Sequence, residues 1–522
     1  MSLPDTTASA KTGRPKSPSA WGNLLHLAAL SAVALLVRAF AARFEFRYDE
    51  AFTYYLCRDH TFGELASGRA YDPGWPQLFH LLYWPWAQLA PQDPRWLRLP
   101  SILLGALAAP AVFLLGRRLF NGTAAAVAGW LVALSAPCVF LSKEARGYAL
   151  LTLLFLVATI LLVRAIEDGK PRDWGLYALA LGLALNTHYF AVFLALGHAC
   201  FVLFCQRGGT RFKFALAAAA GGALFLPWLL KVVFPLVLGS AQTGYPHWQP
   251  PPAWPQIASL LRGLAFGEGF AIRSAPDWLA LGFLTALLLL GLAVRRPGPQ
   301  RTGAALAGIT ALALIAAPLA ISTRYSIFRY KYFLPAAPFL ALLVANGVSR
   351  LPAAWLRGLA GLAAIAVLLA PLPGRPLPQH HSLLARLAPG QWAAYRPVWE
   401  GLARYLDGNV APGDLVLCHS PGATGPIRFY RKQAFDLTGY PRHFTMTEAD
   451  RPGLERLLER RSRVWLVWCT PHDPSGLIRA TLSARFSSQR RAGRWWGTDA
   501  KVEIFLYEKS GARLPARAPL PR

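Results

Sequence analysis

Long apolar stretches alternate with short polar loops along the first two thirds of the chain. A helix needs about 20 apolar residues to cross a bilayer, with a lower limit of about 17, and several of the stretches lie near that limit. The pattern predicts a polytopic α-helical membrane protein with about eleven transmembrane helices. The apolar stretches cover residues 23–44, 96–115, 123–141, 148–163, 174–185, 189–204, 214–234, 278–294, 303–321, 333–348 and 355–372.

The stretch 75–89 is a twelfth candidate, but it is short and contains two prolines, a histidine and several aromatic residues. If this stretch does not cross the membrane, the later basic loops lie on the same side of the membrane as the basic N-terminal segment. If it does cross, those loops lie on the opposite side from that segment. The positive-inside rule therefore predicts eleven crossings, with 75–89 as a helix on the outer surface. The basic loops are 116–118, 164–172, 207–213, 295–301 and 350–357.

The composition changes after residue 371. We predict a disordered cytoplasmic tail at 1–20, a membrane domain at 21–372, a proline-rich linker at 373–389 and a soluble domain at 390–522. Helical patterns at 398–406 and 454–461 alternate with apolar strand patterns at 414–418, 464–468 and 502–507, which predicts a small C-terminal α/β domain. Eleven crossings place this domain outside the cytoplasm.

Composition supports a membrane protein and argues against two other classes. The chain is 54% hydrophobic and 15% charged, which is too apolar for a soluble protein of 522 residues. The formal net charge of +28 does not indicate a nucleic-acid partner, because the Lys and Arg residues gather in short loops rather than in one basic stripe. The first apolar stretch is too long for a signal-peptide core, so we expect it to remain as an anchor.

The six cysteines show no spacing typical of a zinc site. Cys418 and Cys469 both lie in the C-terminal region and form a disulfide or remain as two free buried thiols. We expect the free thiols.

The stretch Arg47-Tyr48-Asp49-Glu50 directly follows the first apolar run, where charge is costly unless a function or a partner retains it. A carboxylate in a pocket at the membrane edge suits a general base that activates an acceptor hydroxyl or amine. Adjacent helical residues point about 100° apart, so Asp49 and Glu50 cannot both face one substrate. We expect one to be catalytic and the other structural. Alternatively, both only mark the water boundary of the first helix.

Two outer segments carry the basic residues that suit an anionic ligand. Lys143 and Arg146 share one face of a helical turn, next to Tyr148, and can hold a phosphate, contact lipid headgroups or pair with Glu144. The later segment, STRYSIFRYKY, places three basic residues outside against the positive-inside bias, which a lipid phosphate or the nearby carboxylates would explain. These three are Arg324, Arg329 and Lys331.

Two further polar residues have weaker patterns. His188, in the NTHYF turn, is predicted as a satisfied interfacial histidine rather than a ligand. Asp72 precedes the surface helix, where it caps the helix or belongs to a metal site. The segment Pro421-Gly422-Ala423-Thr424-Gly425 lacks the glycine spacing of a phosphate-binding loop and is interpreted as a turn.

The order of these motifs resembles that of the bacterial GT-C membrane glycosyltransferases. The motifs are the Asp-Glu pair, Arg-Leu-Pro-Ser at 98–101, Gly-Arg-Arg-Leu-Phe at 116–120, Ser-Lys-Glu-Ala-Arg-Gly-Tyr at 142–148, and Arg-Tyr-Lys-Tyr at 329–332. The resemblance extends over residues 21–347 and is greatest to proteins similar to protein O-mannosyltransferases and to the 4-amino-arabinose transferase that modifies lipid A.

The resemblance implies an enzyme of the bacterial inner membrane with a polyprenyl-phosphate-linked sugar donor and a lipid, glycan or protein acceptor on the outer face. It further implies direct displacement with inversion at the anomeric carbon. The family's catalytic Asp corresponds to Asp49, beside Glu50. The residues implied to hold the donor phosphate are Lys143, Arg146, Tyr148, Arg324, Arg329 and Lys331, with His188 added as a weaker candidate.

The chain departs from this family before the surface helix, where Asp72-Pro73-Gly74-Trp75 replaces the frequent His-Pro-Pro-Leu-Tyr. Some members hold a divalent metal near this place, so Asp72 and His188 are candidate ligands of a possible metal cofactor. Two other functions stay open: a transporter or flippase of lipid-linked sugars, and a non-catalytic assembly partner. A transporter more often shows internal repeats and polar or broken helices at mid-membrane, whereas the ionisable residues of this sequence cluster at the outer edge.

Overall fold

A helical bundle and a C-terminal domain built on a β-sheet make up the described structure. The computed structural model describes residues 20–41, 45–235, 237–238, 251–266, 275–294, 298–325, 327–369, 398–419, 421–441, 446–469, 476–496 and 501–509. The predicted linker 373–389, and all but the last residue of the predicted tail 1–20, lie outside these residues. The predicted domain boundaries therefore stay predictions.

The helices of the bundle follow the apolar pattern closely. They are α1 (Ala20–Ala41), α2 (Tyr48–Arg58), α3 (Phe62–Ala66), α4 (Leu78–Leu89), α5 (Pro94–Leu97), α6 (Leu99–Ala106), α7 (Ala108–Leu119), α8 (Gly122–Leu134), α9 (Ala136–Ser142), α10 (Tyr148–Asp168), α11 (Pro171–Leu185), α12 (Ala191–Cys205), α13 (Gly209–Trp228), α14 (Trp254–Phe266), α15 (Ala275–Leu292), α16 (Pro299–Ser322), α17 (Tyr330–Phe333), α18 (Ala337–Ser349) and α19 (Ala354–Leu369). A π-helical turn, Leu229–Val233, extends α13, and a 3₁₀ turn, Leu334–Ala336, joins α17 to α18.

Each of the eleven predicted apolar stretches contains helix within its described residues, which confirms a polytopic helical membrane protein. Seven helical segments in the described residues are long and apolar enough to cross a membrane, or up to eight if α8 and α9 form one span. The helices α11, α12 and α19 are shorter, at 15 or 16 residues. The count of eleven crossings therefore stays a prediction.

The predicted surface helix corresponds to α4. Its 12 residues would extend about 18 Å, which is too short to cross the hydrocarbon core of about 30 Å. Phe79 and Tyr83 are buried on one face, where α4 packs against α2, and Leu82 and Leu89 are exposed. This amphipathic distribution fits a helix that lies along the bundle, although its placement in a membrane stays a prediction.

The span formed by α8 and α9 bends by 56° at its break. Pro137 has no N–H to donate to the carbonyl of Ala133, four residues earlier. The buried Arg38 of α1 replaces that donor: its guanidinium donates to the carbonyl oxygens of Ala133 at 2.9 Å and Val132 at 3.2 Å, and to Ser142 Oγ at 3.0 Å. Arg38 of α1 therefore caps the C-terminus of α8 and also binds Ser142, the last residue of α9.

The C-terminal domain is a mixed sheet covered by helices. Its strands are β1 (Leu415–His419), β2 (Asp436–Gly439), β3 (Arg463–Cys469), β4 (Ser488–Trp496) and β5 (Lys501–Glu508). The order is β2-β1-β3-β5-β4; β1 is parallel to β2 and β3, and β5 is antiparallel to β3 and β4. The helices are α20 (Trp399–Asn409), α21 (Thr424–Tyr430), α22 (Arg451–Leu458) and α23 (Leu477–Arg485). The predicted small α/β domain is confirmed.

The two strands without a prediction are both at the edges of the sheet. β2 has only four residues, and β4 is rich in exposed arginine, so neither shows the apolar pattern of a buried strand. The three predicted strands form the buried centre. Cys418 and Cys469 are free and buried on neighbouring strands, as expected.

We predict that Arg38→Met destabilises the bundle. The carbonyl groups of Val132 and Ala133 would lose their donor in an apolar environment, which should lower the free energy of unfolding by at least about 2 kcal/mol. Thermal unfolding of the detergent-solubilised protein measures this, with Arg172→Gln as a control at an exposed arginine. An unchanged or higher unfolding temperature for Arg38→Met would contradict the capping role.

Candidate active site

The helix α2 separates the two adjacent carboxylates. It begins at Tyr48, so Asp49 and Glu50 both lie in its first turn. Glu50 is fully buried, whereas the Asp49 side chain is 42% exposed. The side chains thus point in different directions, as the helical geometry requires.

Glu50 is enclosed in a buried ion pair with Arg98. The Arg98 guanidinium donates to Glu50 Oε1 at 2.7 Å and to Oε2 at 2.6 Å, and both side chains are inaccessible to solvent. The backbone N–H groups of Ala145 and Arg47 also donate to this carboxylate, at 2.9 and 3.1 Å. Burial raises the pKa of Glu50, but Arg98 outweighs this and keeps the pKa below its ordinary value. Glu50, the second candidate catalytic carboxylate, has no oxygen available for a substrate.

Asp49 faces a lysine that it shares with a second carboxylate. Lys331 Nζ donates to Asp49 Oδ2 at 2.8 Å and to Glu144 Oε2 at 3.0 Å. Glu144 is 2% exposed and also contacts Arg47 at 3.4 Å. Burial raises the pKa of Asp49, but Lys331 and then Arg146 outweigh it and hold the pKa below its ordinary value. Asp49 is therefore a carboxylate that is ionised, partly exposed and surrounded by cations.

Arg146 connects α2 to the loop before α4. Its Nη1 atom donates to Thr53 Oγ1 at 2.7 Å and to Asp72 Oδ2 at 2.9 Å, and lies 3.4 Å from the carbonyl oxygen of Asp49. The guanidinium also lies over the ring of Trp75, 4.7 Å from its centroid. Arg146, a predicted phosphate ligand, therefore holds α2, the helix that carries Asp49, against the loop before α4.

Aromatic rings form the wall behind this cluster. Tyr148 is buried and packs edge-on against Trp75, with ring centroids 4.6 Å apart, and Lys331 Nζ lies 5.5 Å from the Tyr148 ring. His188 packs against Trp75 at 4.3 Å and Tyr332 at 4.8 Å. Its Nδ1 atom accepts the N–H of Phe190 at 3.0 Å. Burial, followed by the Arg146 cation, lowers the pKa of His188 to about 3, so the ring is neutral.

The remaining predicted basic residues differ in position. Arg329 is half-buried and close enough to Asp49 to lower its pKa. Lys143 is 3% exposed, and its Nζ atom lies 5.1 Å from the ring of Phe140. Arg324 is exposed and makes no ion pair within the described part of the chain. The structure thus brings Arg329 and Lys331 to Asp49, but not Arg324.

Both carboxylate oxygens of Asp72 and one ring nitrogen of His188 are engaged, whereas His188 Nε2 is buried without a hydrogen-bond partner in the part of the chain that the structure describes. One Asp72 oxygen accepts from Arg146 and the other from the N–H of Gly74 at 2.9 Å, and His188 Nδ1 is occupied by Phe190. Among the described residues, no group of three or more His, Cys, Asp or Glu side chains could hold a metal ion. Asp72 caps its own turn and pairs with a cation, rather than capping α4.

Two polar residues of the site escaped prediction, and a third, Glu144, was named only as a possible partner of the basic residues. Arg98, Glu144 and Thr53 each lie within or beside a motif that is recognisable in the sequence, but their partners are 48, 187 and 93 residues away. The available indication was the presence of ionisable residues at the ends of apolar stretches, where charge needs a partner. That indication marks such residues without pairing them.

The comparisons with known proteins agree with the motif order. Residues 76–231 match the family of dolichyl-phosphate-mannose-protein mannosyltransferases. ArnT from Cupriavidus metallidurans has a similar structure in the apo state, with a TM-score of 0.57, 17% identity, and coverage of 93% of this chain and 98% of that chain. The same protein bound to undecaprenyl phosphate has a TM-score of 0.55, with the same identity and coverage.

The archaeal oligosaccharyltransferase AglB from Archaeoglobus fulgidus, in complex with an inhibitory peptide and a dolichol-phosphate, is also similar. Its TM-score is 0.51 at 12% identity, and the match covers 86% of this chain and 70% of that chain. No curated protein matches the chain by sequence. The similar structures are GT-C glycosyltransferases, so the resemblance is confirmed and the chain has the GT-C fold.

We predict that Glu50→Gln and Asp49→Asn differ sharply in stability. Glu50→Gln leaves the Arg98 guanidinium buried without a counter-charge and should cost about 3–5 kcal/mol. Asp49→Asn should have a much smaller effect, because Asp49 is partly exposed and Lys331 keeps Glu144 as a partner. Thermal unfolding of both variants tests this, and equal losses would contradict the division between a structural Glu50 and an available Asp49.

Proposed function

We propose that this chain is a membrane glycosyltransferase that moves a sugar from a polyprenyl-phosphate-linked donor to an acceptor on the outer face of the membrane. The observation that supports this best is the cluster in which a partly exposed Asp49 is surrounded by fixed cations at a helix start next to a membrane span. The similar structures of ArnT and AglB contain undecaprenyl phosphate and a dolichol-phosphate, respectively. Their ligands suggest the donor class.

Asp49 is the proposed general base. Its carboxylate is ionised, and one oxygen, Oδ2, is engaged by Lys331. The exposed fraction of the side chain leaves it open to an acceptor, whereas Glu50 and Glu144 are buried. A base must lie within hydrogen-bond reach of the proton that it removes, and Asp49 meets this condition better than its two neighbours.

Lys331 and Arg329 are the proposed phosphate ligands. A leaving polyprenyl phosphate develops negative charge, and preorganised cations in a site with little water stabilise that charge strongly. Lys331 also neutralises Asp49 and Glu144, which would otherwise repel the donor phosphate. Arg146 Nη1 positions α2 through Thr53 and Asp72, while its Nε has no hydrogen-bond partner among the described residues, so Arg146 stays a candidate phosphate ligand. Lys143 and Tyr148 line the same wall and remain candidate contacts of the donor.

The proposed reaction is a single displacement. Asp49 accepts the proton of the acceptor hydroxyl or amine while the acceptor atom attacks the anomeric carbon. The bond from that carbon to the phosphate oxygen breaks, and its electron pair leaves with the polyprenyl phosphate, which inverts the anomeric centre. One carboxylate is sufficient, because a covalent sugar intermediate is not required.

The sidedness of the reaction is part of the proposal. The positive-inside distribution places α2, the 143–147 turn and the 329–332 segment on the outer side of a bacterial inner membrane, with the C-terminal domain on the same side. The N-terminus is then cytoplasmic. The acceptor is a lipid, a glycan or a protein, and the sugar depends on the shape of a pocket that residue types alone do not specify.

We predict that Asp49→Asn abolishes sugar transfer but retains donor binding. The amide cannot accept the acceptor proton, while Lys331 and Arg329 remain in place. Membranes with wild-type or variant protein are incubated with a panel of radiolabelled polyprenyl-phosphate sugars, and formation of a new glycosidic bond is measured. Transfer that persists in the variant would remove Asp49 as the base. Movement of donor across the bilayer without a new bond would favour a transporter.

We predict that Lys331→Met shifts the pH dependence of transfer. Losing this cation raises the pKa of Asp49 towards its ordinary value, so the carboxylate becomes protonated at a higher pH and activity falls earlier on the acid side. The turnover rate at saturating donor is measured against pH, with Arg324→Gln as a control at an exposed arginine outside the cluster. An unchanged acid limb in Lys331→Met would contradict the coupling.

A further inference from the structure

The C-terminal domain and the bundle exchange aromatic side chains at their interface. Tyr48, the first residue of α2, packs against the hydrophobic core of the C-terminal domain. In return, Phe429 of α21 is buried in the hydrophobic cluster of the bundle that contains Phe46 and Tyr54. Each part therefore contributes an aromatic side chain to the core of the other.

The segment Pro421 to Gly425, predicted as a turn, forms the centre of this interface. It consists of a 3₁₀ turn (Pro421–Ala423) followed by the start of α21. A Cβ atom at Gly422 would overlap the ring and hydroxyl group of Tyr48. A Cβ atom at Gly425 would lie 3.1 Å from the Cβ of Ala51, which is closer than most such contacts. Both glycines thus permit close approach to α2 on either side of Asp49.

Further contacts hold the two ends of the α2 segment. Before the helix, the Phe46 ring stacks on Phe429 at 4.6 Å and its N–H donates to Tyr430 Oη at 2.5 Å. After the helix, Asp59 pairs with Arg428, whose guanidinium lies 4.0 Å from the centroid of the Tyr55 ring. Both ends of the segment from residue 46 to residue 59 therefore contact the single short helix α21.

A carboxylate of the bundle also caps a helix of the C-terminal domain. Glu45 accepts the backbone N–H groups of Val398 at 3.0 Å and Glu400 at 2.6 Å, at the N-terminus of α20. Burial raises the pKa of Glu45 to about 7, although the hydrogen bonds from these backbone N–H groups lower it. The position of α2 is thus linked to the C-terminal domain by stacking, by an ion pair and by a cap.

We infer that the C-terminal domain positions the catalytic base, with Gly422 and Gly425 as positioning residues that act through Tyr48 and Ala51 on Asp49. This inference rests on the proposed function of Asp49. Tyr48 is adjacent to Asp49, and its ring packs against the core of the C-terminal domain, so a side chain at position 422 that displaces the ring removes a contact that holds the first turn of α2. A misplacement of about 1 Å can lower the rate of an enzymatic step by about 100-fold without removing any reacting group.

The test is a double-mutant cycle on the full chain. Gly422→Ala should lower the turnover rate at least about tenfold while the KM for the donor changes little, because Lys331 and Arg329 lie on another segment. Tyr48→Ala removes the obstructing ring, so adding it to Gly422→Ala should restore the rate to that of Tyr48→Ala alone. Gly453→Ala is the matched control: its Cβ would meet the Tyr440 hydroxyl inside the C-terminal domain, away from α2. Its rate should stay near that of wild type.

Equal losses in Gly422→Ala and Gly453→Ala, or losses from Gly422→Ala and Tyr48→Ala that multiply, would overturn the inference. Hydrogen–deuterium exchange of residues 48–58 provides a readout that does not depend on activity. Faster exchange there in Gly422→Ala than in Gly453→Ala is expected, and equal exchange would contradict the role of Gly422. A wild-type protein without transfer activity would remove the proposed function, while the exchange result would still decide whether the domain orders α2.

Discussion

The buried ion pair between Glu50 and Arg98 is the interaction on which the site depends. Two charges without solvent access are tolerated because each is paired and hydrogen-bonded, and losing one partner would leave an uncompensated buried charge. The pair joins α2 to the start of α6, and the N–H of Ala145 adds the turn after α9 to the same carboxylate. Three segments that are distant in sequence therefore meet at one point, and Asp49 is oriented as a consequence.

The surrounding charges are arranged so that one carboxylate remains usable. Glu50 is neutralised by Arg98, Asp72 by Arg146, and Glu144 by Lys331 together with Arg47. Asp49 shares Lys331 and keeps an exposed surface. The proposed function requires a positive field for an anionic donor and a base at the same time. The other carboxylates are buried with cations of their own, so they do not cancel the positive field. Asp49 then remains as the partly exposed base, next to Lys331.

The fold was largely predictable because segments buried in lipid or in the centre of a sheet are apolar over consecutive residues, which is visible in the sequence. Apolar runs marked the helices of the bundle, and the central strands β1, β3 and β5 had apolar patterns, whereas the edge strands β2 and β4 did not. The charged residues at the site were also visible, and pairing of the late basic segment with the nearby carboxylates was one of two alternatives, but the individual partners were not predicted. Lys331 contacts Asp49 across 282 residues, and nothing local distinguishes it from Arg324, which remains on the surface. Only the helix packing selects between them.

The guanidinium of Arg38 has a consequence for the order in which the protein is assembled. This arginine lies in the first described span, but the carbonyl oxygens that satisfy it belong to residues synthesised 94 and 95 positions later. Arg38 lies in the last turn of α1, where a long basic side chain can extend towards the interface before its partners are present. Arg38 therefore gains its carbonyl partners only after α8 has been synthesised. The contact that caps the break before α9 thus depends on a residue made about 95 positions earlier in the chain.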